Sequence, residues 1–158
     1  MLEQPELLLG PWLRQDRVRR RAVCAPATGQ VLGSVRASLP SWLSFLGRQI
    51  QEVLETEDDS LVMTLWRPWG LARTWEVRDA EEHRVGILYR NALLDGSGRR
   101  VAVAQHQSDQ CGRFCDMHGG EIGAFAMQDS GMLLSFSPAL EGNPFTRMIV
   151  LGAILSWG

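Results

Sequence analysis

The sequence predicts a mainly β protein, of α+β class, in which a barrel or strongly curled sheet closes around one buried helix. Three observations carry this. The chain ends in an apolar run, Met148 to Gly158, that holds no charged residue and is entered through Asn143-Pro144. A hairpin-like pattern with a late glycine recurs along the chain. Regular hairpins leave sheet edges to hide, and closing the sheet around the apolar helix hides the edges and the helix together.

The helix comes first because its chemistry is plainest. Asn143 is suited to the N-cap and Pro144 to the first helical position, so 144–157 reads as a helix of about 20 Å. That is too short for a membrane span, which needs about 20 apolar residues. A helix apolar on every side must instead be surrounded by the rest of the chain.

The wall is read from the repeats. Ala25–Val35, Val77–Leu88 and Phe114–Phe125 each run from a strand through a polar turn to an aliphatic residue, a glycine and a second strand. A fourth turn, Asp95-Gly96-Ser97-Gly98, joins Leu88–Leu94 to Arg100–Gln105, where Val101 and Val103 alternate with Ala102 and Ala104. The recurring glycine fits a bulge or a close approach to the strand, and equally an ordinary turn exit. Ser41–Leu54 places Trp42, Leu43, Phe45, Leu46, Ile50, Val53 and Leu54 near helical spacing, which predicts one additional amphipathic helix. An acidic linker, Glu55–Asp59, leads to a strand over Ser60–Trp66 and a turn at Arg67-Pro68-Trp69-Gly70. Residues 1–158 are read as a single domain, with 1–13 a loose amino-terminal extension.

Composition narrows the function classes. The chain has 158 residues, 45% hydrophobic, with a net charge of -2, so nothing global points to nucleic acid. All 16 basic residues are Arg. The start lacks a basic n-region and a long apolar h-region, which points to the cytoplasm. Cys24, Cys111 and Cys115 read as free thiols of a reducing compartment.

Leu134-Ser135-Phe136-Ser137-Pro138 followed by Arg147–Ala153, together with Trp75–Ala80 and Val85-Gly86, resembles the tubby C-terminal-like superfamily, in its phospholipid scramblase and LURP-one-related branch. The resemblance covers roughly 18–158 and rests on order and pattern. It implies a closed barrel of about a dozen strands threaded by the hydrophobic C-terminal helix. It also implies a non-enzymatic, scramblase-like domain that binds anionic phospholipid headgroups or a membrane surface. The chain departs from scramblases where they carry an Asp-rich calcium segment: 128–133 offers Asp129 alone, with Glu141 behind it, a poor set for a cation that takes six to eight oxygens. Scrambling activity is therefore not carried over.

Candidate sites are few. Arg17, Arg19 and Arg21 share one face if 17–23 is a strand, and guanidinium groups suit lipid phosphates; the alternative is an edge-protecting basic strand. Arg67 and Arg73, beside Trp66 and Trp69, are secondary anion candidates. No catalytic residue, cofactor or metal is expected. The weak metal candidates are Asp129 and Glu141 for calcium, and His106, Cys111, Cys115 and His118, spaced x4, x3 and x2, for zinc. Thus the expectation is lipid or membrane-surface binding; the alternatives are a soluble protein-interaction module and a zinc- or thiol-dependent protein.

Overall fold

A computed structural model describes residues 1–15, 18–38, 49–56, 58–68 and 73–157. The strands are β1 Glu6–Leu9, β2 Leu13–Gln15, β3 Val18–Cys24, β4 Val31–Ser38, β5 Gln49–Glu55, β6 Leu61–Arg67 and β7 Thr74–Asp79. They continue as β8 Arg84–Tyr89, β9 Ala92–Asp95, β10 Arg100–His106, β11 Cys111–Asp116, β12 Glu121–Gln128 and β13 Gly131–Phe136. A 3-10 turn at Pro138–Leu140 then leads into α1, Pro144–Ser156.

All pairings are antiparallel, and from β3 to β13 each strand pairs with the next. β1 closes the ring by lying between β13, through Leu7↔Leu134, and β3, through Leu9↔Val23. The result is a closed 12-strand barrel. β2 continues β1 along the rest of β3, after an irregular step at which Gly10 N donates to Ala22 O at 2.9 Å.

α1 is the axle. Asn143 caps it by accepting from Thr146 N at 3.1 Å, and every residue from Ile149 to Leu155 is buried. Inward positions of the wall, among them Leu7, Val35, Val53, Met63, Leu65, Val77, Leu93, Phe114 and Leu134, are each at most 1% exposed and complete the core. The late glycines combine two of the readings made for them. Each lies beside a register shift: Gly33 opposite Val23/Cys24, Gly86 opposite Val77/Arg78, and Gly123 opposite Phe114/Cys115. Gly86 also admits the helix, since a Cβ there would stand 2.5 Å from Ile149 Cγ1.

Three expectations change. Residues 49–54 of the expected amphipathic helix belong to β5, with Gln51 and Val53 inward; 41–48 fall outside the described residues. Leu54 is buried on the other face, opposite Leu61 at a bulge, so period-two alternation is masked and the apolar spacing imitates a helix. Leu88–Leu94 is not one strand: β8 and β9 are joined by a tight turn in which Arg90 takes φ 53°. Arg-Asn carries none of the usual Gly signal for such a turn.

The amino-terminal stretch is likewise not loose. Leu2, Leu7 and Leu9 are buried, and the Met1 amine reaches Glu55 Oε1 at 2.7 Å. The buried Arg147 donates from Nη1 to Leu2 O at 2.6 Å and Gln4 O at 3.2 Å, and from Nε to Leu140 O at 3.1 Å. A strand of four residues is too short to declare itself by alternation, and its β13 partners lie over 100 residues away.

Candidate functional site

The two ends of the barrel differ in charge, and connectivity decides which side chains meet at each. The strand ends at Gln15, Ser38, Arg67, Tyr89, His106 and Gln128 lie at the C-terminal end of α1. There Trp157 packs at 4.7 Å from His106 and 5.2 Å from Phe125. Those at Cys24, Glu55, Asp79, Asp95 and Asp116 lie at the other end, where α1 begins beside Leu2 and Glu3.

Arg67, Arg73 and Arg90 sit at the first rim, with the register partners Arg14 and Arg19 one residue inside it; the described carboxylates there are Asp109 and Asp129. The opposite rim carries Glu55, Asp58, Asp59, Asp79, Glu81, Glu82, Asp95 and Asp116, against Arg84, Arg99 and Arg100. Pairing sharpens the contrast. Arg78, Arg84 and Arg99 have carboxylate partners and Arg100 has none, whereas at the basic end Arg14, Arg19, Arg73 and Arg90 all have none among the described residues.

Aromatic rings hold several of these cations. Arg19 and Arg21 lie 4.8 and 5.1 Å from the centre of the Trp12 ring, Arg67 lies 5.1 Å from Trp75, and Arg90 lies 5.4 Å from Tyr89. Stacked by their faces, the guanidinium groups of Arg19 and Arg90 keep their N–H edges available for an anion. The Trp12 indole N–H is itself buried without a hydrogen-bond partner among the described residues.

The five sequence candidates fare differently. Arg19 and Arg21 share a face, but it is the inward one that also carries Val23. Arg21 is only 7% exposed and donates to Gly10 O at 2.9 Å and Leu9 O at 3.0 Å, so it fastens the β1–β2 step. Burial, and after it the charge of Arg19, lowers its pKa to about 10; it stays charged at neutral pH. Arg67 is half-buried against Trp75, and Arg73 is exposed at the start of β7. Arg17 lies outside the described residues. Sequence reasoning missed Arg90, because the turn that presents it was not recognised; an aromatic directly before a hairpin-tip Arg was the available signal.

The metal candidates do not converge. Asp129 follows β12 at the basic end, and Glu141 precedes α1 at the acidic end. Cys111 and Cys115 stand toward opposite ends of β11, about 13 Å apart at ~3.3 Å per residue. His106 packs on Phe125 and Trp157 at the basic end, while His118 occupies a turn at the acidic one. Cys111 Sγ lies 3.3 Å from the Ser108 hydroxyl, which is no general base.

Fold and site together define a closed, helix-filled barrel with one guanidinium-rich, aromatic-lined end. A solved structure with the same fold is the X-ray structure of the Arabidopsis thaliana protein AT5G01750: TM-score 0.61 and 12% identity, covering 97% of this chain and 91% of that one. No family model matches the chain, and no curated protein matches it. No described helix is long and apolar enough to cross a membrane.

Proposed function

We propose that this chain is a scramblase- and LURP-one-like member of the tubby C-terminal-like group that binds the anionic headgroups of a membrane surface through its basic end, without turnover. The observation that carries the reading is segregation: Arg14, Arg19, Arg73 and Arg90, without carboxylate partners among the described residues and two of them stacked on aromatics, gather at one end, and most rim carboxylates at the other. Such a dipolar body turns its basic end toward an anionic surface.

The test is co-sedimentation with phosphatidylcholine vesicles with and without phosphatidylserine. Binding is expected only to the anionic vesicles and falls as salt rises. At about 1 kcal/mol per Arg near such a surface, Arg19→Ala, Arg73→Ala and Arg90→Ala together weaken it about 100-fold. Glu81→Ala with Glu82→Ala leaves it unchanged. Equal binding by the triple variant overturns the proposal, and so does equal binding to neutral vesicles. Arg21 is left intact because its loss would disturb the β1–β2 step.

A further inference from the structure

Three hairpin turns at the acidic end are built alike. In each, an Asp at the end of a strand accepts two backbone N–H groups on Oδ1, from the residues two and four positions on. Asp79 accepts from Glu81 N at 3.1 Å and His83 N at 2.8 Å. Asp95 accepts from Ser97 N at 2.9 Å and Arg99 N at 3.0 Å, and Asp116 from His118 N and Gly120 N, both at 2.8 Å. The turn therefore needs the Asp and two backbone donors, and not the side chains at those two later positions. These carry Ser97 and Arg99 in one turn, His118 and Gly120 in the next, and Glu81 and His83 in the third.

In the Asp95 turn the spare oxygen, Oδ2, is met by a cation of the protein: Arg99 approaches it with Nη2 at 3.0 Å and Nε at 3.1 Å. In the Asp79 turn the same place holds an imidazole and a second carboxylate. We propose that Asp79, Glu81 and His83 form a binding site for a divalent transition-metal ion of the zinc class, which takes the place that the Arg99 guanidinium fills one hairpin away.

The geometry fits. One ligand atom from each of the three residues lies within 4.8 Å of the others. Asp79 Oδ2 and His83 Nδ1 stand 3.5 Å apart, too far for a good hydrogen bond. Two ligands at ~2.0–2.1 Å from a tetrahedral zinc are about 3.4 Å apart. Asp79 is held by its two backbone donors and its side chain is 14% exposed, so one ligand is preorganised; Glu81, exposed on the turn, supplies the adjustable one.

An imidazole with carboxylates selects zinc, cobalt or nickel over calcium or magnesium, which take oxygen alone. Asp79 and His83 also line a hollow of 510 Å³ with Val85 and Phe145, so the remaining coordination positions open toward space. The site lies at the opposite end from the membrane-facing rim and stands independently of it.

The test is calorimetric titration of the whole, tag-free protein with zinc chloride, repeated with cobalt chloride and read by visible absorbance. One equivalent is expected to bind. His83→Ala and Glu81→Gln each weaken binding about tenfold or more, with unchanged circular dichroism because Asp79 still makes the turn. His118→Ala and the pair Cys111→Ser and Cys115→Ser leave it unaffected. Absence of binding overturns the assignment, as does binding that survives His83→Ala or is lost with His118 or the cysteines.

Discussion

Gly86→Ala tests the buried axle most directly. The new Cβ would stand 2.5 Å from Ile149 Cγ1, 2.8 Å from Ile149 Cδ1 and 3.1 Å from Leu94 O. Ile149 is 2% exposed inside a closed wall and has nowhere to go, so overpacking costs about 1–3 kcal/mol. Ile149→Ala alone removes Cγ1 and Cδ1 and leaves a cavity, at about 2–5 kcal/mol. The two changes compensate: without Ile149 Cγ1 and Cδ1 the closest clashes vanish, and the methyl group added at position 86 partly fills the hole, while the contact with Leu94 O keeps some strain. The double variant is then less destabilised than the sum of the singles by about 1–2 kcal/mol. Urea unfolding followed by circular dichroism measures all three. Strict additivity, or a neutral Gly86→Ala, would refute a helix seated against β8.

Arg147→Met strands the carbonyls of Leu2 and Gln4, leaves Leu140 O with Asn143 N alone, and lowers stability by about 2–4 kcal/mol; hydrogen exchange should then rise first over residues 1–9. The Ser97 hydroxyl, then the Arg99 N–H, hold the Asp95 pKa down to about 2. A depressed carboxylate stabilises above its unfolded value, near 4, and the contribution is lost as pH falls from about 4 to about 2. Urea midpoints should therefore fall more steeply over that interval for the native chain than for Asp95→Asn, whose amide oxygen still accepts the turn N–H groups; parallel curves would contradict this.

The axle was legible because its cues are local: Asn143 and Pro144 open it, and a run without charge has to be enclosed. The hairpins at Ala25–Val35, Val77–Leu88 and Phe114–Phe125 were legible for the same reason. The misread segments share another property. Leu54 is buried on the outward face of β5, and β8–β9 turns on an Arg in a left-handed conformation, so neither follows the pattern its element normally shows. Of the candidate basic end, Arg19, Arg67 and Arg73 could be named from the sequence, whereas Arg90 needed the turn that presents it.

By itself, the sequence determined that a short helix, charge-free from Met148 on, had to be wrapped by β-hairpins, since burial of a charge-free run depends on composition rather than on partners. Only the tertiary structure decided how the wall closes, because β1 pairs with strands at both extremes of the chain. It alone also sorted the charges, gathering arginines distant in sequence at one rim and aligning the three Asp turns at the other. Antiparallel succession sends alternate connections to opposite ends, and a residue's end follows from strand parity that one misread hairpin reverses.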